Sequence, residues 1–221
     1  QTASPRQRLE KGPAYTLLKG DGPQSLAGDW PTYRSDNARS GCTPVAVGSV
    51  LKPAWNRQLG GRLSSVVVAR GVLFVAQTRA HTVHALDASS GGKIWSYTAG
   101  GRIDSPPTIC EGRAIFGCAD GNVYCLRLTE GELVWRYQAA PADRRTIASG
   151  QIESLWPVTG SVLVRNGVVY CTAGRTSYLD GGMYLCRLDS TTGTLLGQTS
   201  FYDRNPVTGE QPEETIEDVE L

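Results

Sequence analysis

Short apolar runs with a period of two, punctuated by Gly, Asp, Asn and Ser, recur along most of this chain. Val83 to Trp95, read V-H-A-L-D-A-S-S-G-G-K-I-W, sets the pattern. Side chains alternate along a strand, so Val83 and Ala85 share one face and His84 and Leu86 the other. Asp87 opens a turn, because its carboxylate can accept from backbone N–H groups two residues on. Gly91 supplies the backbone freedom the turn exit needs. Ile94 and Trp95 then begin a return strand.

This unit repeats. G-G-R-L-S-S-V-V-V at 60–68 aligns with G-G-R-I-D-S-P-P-T at 100–108, and Trp95 with Trp135, both at an offset of 40. Gly71–Ala76 aligns with Gly112–Gly117, and Thr82–Asp87 with Asn122–Arg127, with Gly131 in the second turn. Asp120-Gly121 is a hairpin signal of the primed-turn kind. A third copy runs through Gly167–Cys171 and Tyr184–Asp189, with Gly193 in its turn and Gly197 where a Trp would close it. Trp135 to Gly197 spans 62 residues, 22 more than 40. About fifteen of these enter between Ala139 and Pro157, and seven enter the hairpin between Cys171 and Tyr184.

Four short strands per unit of about 40 residues is the signature of a β-propeller blade. The expected fold is all-β: a partial propeller of about three four-stranded blades, a fragment of a larger closed ring, each blade sealed by its Trp. Residues 28–54 would lead into the propeller with Trp30 and Tyr33 lying across a surface, and 55–200 would hold the blades. Residues 1–27 read as a linker or the trailing edge of an upstream domain, and 201–221 as an acidic inter-blade loop or solvated tail.

Composition narrows the function classes. The 22 Lys and Arg nearly cancel the 21 Asp and Glu, which argues against a nucleic-acid binder held by a global basic field. No apolar run is long enough to span a membrane. The six cysteines form no C-x-x-C pair, and Cys118, Cys125, Cys171 and Cys186 fall in apolar alternating runs, as buried small hydrophobes do. His81 and His84 point to opposite faces and do not share a metal. No metal site and no catalytic set stands out.

The run A-L-D-A-S-S-G-G-K-I-W at 85–95 resembles the repeat of quinoprotein-type (PQQ-like) β-propellers, with an A-x-D-x-x-T-G-x-x-x-W core. Cys125–Trp135 is similar but has Arg127 at the Asp position; Arg187–Gly197 keeps Asp189 and Gly193 and loses the Trp. D-W-P-T-Y-R-S-D-N-A-R-S-G at 29–41 also resembles a segment that leads into propellers of this bacterial family. The resemblance, over residues 29–200, implies a non-catalytic scaffold that binds a protein or glycan within a larger protein, similar to the lipoprotein branch of the outer-membrane assembly machinery. It also implies an extracytoplasmic location and remaining blades as partners, with no cofactor of its own. The alternatives are part of a quinone-dependent dehydrogenase, which would bring pyrroloquinoline quinone and calcium, and a regulatory propeller fused to a methyltransferase-like domain. The dehydrogenase branch uses adjacent cysteines, and no two cysteines are adjacent here.

Two groups of candidate binding residues follow. The innermost strands, aligned as Arg62–Ser65 and Arg102–Ser105, would put Arg62, Ser64, Arg102, Asp104 and Ser105 at a channel mouth suited to an anion. The two insertions carry Arg144, Arg145, Gln151, Glu153 and Trp156, and Arg175, Tyr178 and Asp180. Decorated loops on a rigid scaffold are the usual place for binding.

Overall fold

The computed structural model describes residues 8–17, 28–203 and 210. Among these, the only helical element is a 3-10 turn at Thr78–Ala80, and the rest of the regular structure is antiparallel sheet. After a short strand β1 (Leu9–Lys11), the first blade is β2 (Val67–Ala69), β3 (Val72–Gln77), β4 (Thr82–Asp87) and β5 (Lys93–Thr98). The second is β6 (Thr108–Cys110), β7 (Arg113–Gly117), β8 (Asn122–Arg127) and β9 (Leu133–Gln138). A two-stranded hairpin follows, β10 (Arg145–Ala148) and β11 (Gln151–Ser154). The third blade is β12 (Leu163–Arg165), β13 (Val168–Ala173), β14 (Met183–Asp189) and β15 (Leu195–Phe201). Each blade is an up-and-down meander, and each carries a register shift at the same place, Ala85/Leu86, Cys125/Leu126 and Arg187/Leu188.

The blades are joined by indoles. Trp55 Nε1 donates to Ala88 O at 2.9 Å, Trp95 Nε1 to Leu128 O at 2.8 Å, and Trp135 Nε1 to Ser190 O at 3.2 Å. The donor and acceptor are 33 residues apart in the first two cases and 55 in the third, longer by the 22 residues of the two insertions. Each ring lies flat on the turn glycine of its target. A Cβ on Gly91, Gly131 or Gly193 would stand 2.6 Å from the indole of Trp55, Trp95 or Trp135. All three glycines have positive φ, between 69° and 73°, so the backbone and the space both demand glycine. Burying an indole is worth roughly 4–6 kcal/mol by area.

The turns use two chemistries. Asp87 Oδ1 accepts from the Ser89 and Ser90 amides at 3.0 and 2.8 Å, and Asp189 does the same for Thr191 and Thr192. In the second blade Arg127 pairs instead with Glu130 and Glu132, at 2.7 and 3.0 Å. On β15, Gly197 faces the Arg187 guanidinium, which a Cβ would meet at 2.5 Å.

The middle blade is buried on both faces. Ala114, Phe116, Tyr124 and Leu126 pack with Phe74, Ala85 and Trp95 of the first blade. Ile115, Val123 and Cys125 pack with Val169, Cys171, Cys186 and Leu188 of the third. This is why β7 reads as an unbroken apolar run after Arg113, whereas β5, an edge strand, leaves Ile94 half exposed.

One expectation changes. The innermost strands are Val67–Ala69 and Thr108–Cys110, not Arg62–Ser65 and Arg102–Ser105. Pro106 and Pro107 have no amide hydrogen to give a ladder, so β6 begins only at Thr108. Residues 62–64 run on past β2 to the end of β3, where Leu63 bridges Gln77 and Ser64 N–H donates to Ala76 O at 2.9 Å. In the stretch read as linker or upstream edge, Leu9–Lys11 adds a fifth strand to the second blade, with Leu9 opposite Tyr137 and Lys11 opposite Trp135. The segment ahead of the blades runs along their inner edges: Trp30 pairs with Val68, Ile109 N–H donates to Pro31 O at 2.7 Å, and Arg39 reaches Val162 O at 3.3 Å. The acidic run from Gln211 onward lies outside the described residues.

Trp95→Ala and Trp135→Ala should each cost about 3–5 kcal/mol in urea unfolding, and Gly131→Ala more than the roughly 1 kcal/mol of its positive φ alone, because Trp95 must move. A loss under about 1 kcal/mol in all three would mean that the indoles do not join the blades. Hydrogen bonds from Ser89 and Ser90 lower the Asp87 carboxyl to about 2, from 3.8. Its contribution to the turn is complete above the ordinary value and lost as pH falls through about 2. A carboxyl-detected NMR titration should show this midpoint, and a midpoint near 3.8 would refute it.

Candidate binding site

The loops at one end of the blades are drawn together by the hairpin β10–β11. Its two-residue turn, Ser149-Gly150, has positive φ at both positions, 53° and 73°, the geometry that matches strand twist. Gln151 Nε2 donates to Arg79 O at 3.0 Å on the first blade. Ser154 N–H donates to Ala119 O at 2.8 Å on the second. The segment just after the hairpin reaches the third: Trp156 Nε1 donates to Asp180 O at 2.9 Å, and its ring meets Tyr184 edge-on at 6.5 Å. The insertion is therefore a strap across all three blades.

Under the strap lies a chain of four charges. Asp104 accepts from Arg102 Nε through both carboxylate oxygens, at 2.8 and 2.9 Å. Arg102 Nη1 reaches Glu153 Oε2 at 2.5 Å, and the other Glu153 oxygen takes Arg175 Nη2. The Glu153 side chain is only 2% exposed, Arg102 12% and Arg175 32%. Arg175 also donates to Leu155 O and Ser154 O, at 3.0 and 3.1 Å, so it clamps the hairpin base as well as neutralising it. The Asp104 hydrogen bond, with Glu153 behind it, holds Arg102 above the ordinary guanidinium range.

The two expected groups of residues thus merge in part. Arg102 and Asp104 from the mouth, and Glu153, Arg175, Trp156 and Gln151 from the insertions, form one connected rim. Arg62 does not join it; it is exposed, and its carbonyl accepts from Thr78 N–H at 2.9 Å. Ser64 ties the chain to β3, its Oγ accepting from Ala76 N–H at 3.0 Å and donating to Ser65 O at 2.7 Å. Ser105 is buried, with its hydroxyl unpaired among the described residues. Arg144 and Arg145 stand exposed on the hairpin, Arg145 beside Asp143 at 3.2 Å. Tyr178 and Asp180 are exposed on the β13–β14 loop.

Ile147 and Ile152, directly opposite one another on the hairpin, were not foreseen as site residues. They are 78% and 63% exposed. The signal was present in R-T-I-A-S-G-Q-I-E-S, an alternating run broken by Ser-Gly. Beside the hairpin base is a polar hollow of about 270 Å³, lined by Asp120, Asn122, Arg136, Gln138 and Arg145. Burial and the Asp120 carboxylate push the neighbouring Tyr124 phenol well above its ordinary value. A second hollow, about 480 Å³ and apolar, lies between Trp30, Tyr33, Val66 and Val68.

A family model described as outer membrane protein assembly factor BamB matches residues 40–210. The dehydrogenase subunit of a quinone alcohol dehydrogenase from Gluconobacter oxydans is 26% identical over 188 residues, 76% of this chain and 24% of that protein. BamB of Yersinia pestis is 29% identical over 135 residues, 58% of this chain and 33% of that protein. The crystal structure of quinohemoprotein alcohol dehydrogenase from Comamonas testosteroni matches 92% of this chain and 32% of its own, with TM-score 0.66 and 21% identity. This last likeness is one of fold. The chain spans a quarter to a third of the length of these relatives.

Glu153→Ala should destabilise the chain by about 3–5 kcal/mol, since it removes the buried acceptor shared by Arg102 and Arg175 and leaves Arg102 with Asp104 alone, whereas Asp104→Ala should cost about 1 kcal/mol or less. Urea unfolding of both variants checks the ranking, and equal losses would show that Glu153 is not the centre of the network.

Proposed function

Because the chain belongs to the PQQ-repeat family described as outer membrane protein assembly factor BamB, we propose that it is a non-catalytic binding module, three blades of a larger propeller that hold a protein partner at their loop end. The observation that carries this is the strap. A hairpin fastened to three blades presents an uncovered Ile147–Ile152 pair, with Arg144 and Arg145 beside it. A rigid base holding exposed apolar and Arg side chains is the composition of an interaction hot spot. The β-branched aliphatic pair suits a protein surface better than a glycan. In this reading the module works outside the cytoplasm, as the resemblance implies, and the remaining blades come from the same protein.

A part in quinone-dependent dehydrogenation is the second reading, favoured by the matches to alcohol dehydrogenases. A quinone–calcium centre asks for several free oxygen ligands. At the loop end of these blades Glu153 is taken by two guanidinium groups, Asp104 by Arg102, and Asp120 by the Tyr124 hydroxyl at 2.5 Å. That donor set does not fit such a centre. Among the described residues, no group of three or more His, Cys, Asp or Glu is placed to hold a metal ion.

A photo-crosslinking amino acid at Ile147 of the full-length protein should trap one discrete protein in its native host, and Ile152→Asp should abolish the adduct without changing far-UV circular dichroism. An undiminished adduct with the substitution would defeat the binding reading. Titrating the full-length protein with pyrroloquinoline quinone and calcium should give no redox-active bound chromophore; its appearance would establish the dehydrogenase reading.

A further inference from the structure

Cys171 on β13 and Cys186 on β14 are directly opposite in strand register, and both are buried between the second and third blades. Opposed residues of an antiparallel pair are about 4.5–5.5 Å apart at Cα, inside the range that a disulfide spans. The other strand cysteines lack such a partner: Cys110 faces Arg113, and Cys125 faces Ile115 and Trp135. The Cys171 thiol points at Cys186 O, and the Cys186 thiol at Ala139 O, each at 4.0 Å.

A cation shares an acceptor with the pair: Ala139 O accepts from Arg8 and faces the Cys186 thiol. Arg8 is 8% exposed, donates to Gln138 O, Ala139 O and Gln198 Oε1 at 2.7, 2.8 and 3.0 Å, and lies over the Tyr137 ring at 5.0 Å. All of these partners are neutral. A buried guanidinium whose hydrogen-bond partners among the described residues are neutral favours an anion beside it. The Cys171 hydrogen bond, with Arg8, lowers the Cys186 thiol below its usual range, while the same hydrogen bond and burial push Cys171 up.

We propose that Cys171 and Cys186 are a dithiol–disulfide pair, oxidised by a small or protein disulfide as the blades close, with Arg8 as the cation that steadies the reacting Cys186 sulfur. Cys186 thiolate attacks one sulfur of the oxidant, forming a mixed disulfide and expelling one thiolate. Cys171 then gives its proton to the thiolate already expelled and attacks the Cys186 sulfur, expelling the second thiolate, which is protonated from solvent. Two protein thiols are oxidised by two electrons, and one disulfide is reduced to two thiols. The bond would close the loop that carries Arg175, Tyr178 and Asp180, fixing the base of the rim. Because the pair is buried in the folded chain, reaction belongs to folding or to transient opening of the blade interface.

The test is refolding of the full chain in graded ratios of reduced to oxidised glutathione, followed by acid quench, alkylation and peptide mapping. The expected result is one crosslinked peptide joining residues 171 and 186, two hydrogens lighter than the dithiol, with Cys42, Cys110, Cys118 and Cys125 alkylated. Arg8→Gln should slow appearance of the crosslink by about threefold to tenfold, with Arg8→Lys restoring most of the rate. Should Cys171 and Cys186 stay fully alkylatable at the most oxidising ratio, or should crosslinks scatter over all six cysteines, the proposal is overturned. A crosslink formed at the same rate in Arg8→Gln overturns the role given to Arg8.

Discussion

The indole laid on a glycine turn is the contact on which the rest of this structure depends. A four-stranded sheet cannot cover its own faces, and here each sheet is joined to the next at one repeated point, where an indole N–H meets a turn carbonyl and its ring fills the place of a missing side chain. The contact is demanding on both sides. Any side chain on the glycine would collide with the ring, and any smaller residue in place of the tryptophan would leave a hole at the joint. Repetition of this one contact sets the spacing of the blades, and the spacing in turn brings the loops at one end within reach of one another.

That reach is what the strap uses. Insertions in surface loops are tolerated because closing a longer loop costs little, yet this one is not a loose excursion. Its hydrogen bonds go to the first and second blades and, just beyond the hairpin, to the third, and its one buried carboxylate is shared between guanidinium groups from different blades. Glu153 would be an expensive residue to bury alone. Placed between Arg102 and Arg175 it becomes a joint between the scaffold and the loop, so that the exposed tip with Ile147 and Ile152 stands on a fixed base. Rigidity below and exposure above are the physical requirements of a recognition surface.

Position along the chain misled in one respect. Arg62–Ser65 and Arg102–Ser105 are equivalent segments, each accepting at its Arg carbonyl from the chain just after the second strand of its blade, but neither is an innermost strand. Pro106-Pro107 carried the information that ladder pairing must wait until Thr108, and the bridge of Leu63 to Gln77 shows that the equivalent segment of the first blade extends beyond the strand. The residues so displaced became rim residues. Arg102 and Asp104 are therefore at the loop end because they precede the strand, whereas Arg62, equivalent by alignment to Arg102, faces solvent.

What the amino-acid order determined by itself is the local and periodic part: alternating runs, Asp- and Gly-containing turns, the 40-residue repeat, and the tryptophans that close it. These are legible because neighbouring residues decide them through steric preference, side-chain alternation and turn hydrogen bonds. The partners of the buried charges were decided only by tertiary structure. Arg102 and Glu153 are 51 residues apart, and Arg8 finds Gln198 across 190. No local preference encodes such a pairing. It exists because sheets locked by their indoles bring those atoms to hydrogen-bonding distance, where a buried charge must be met by an opposite charge or by hydrogen-bond acceptors.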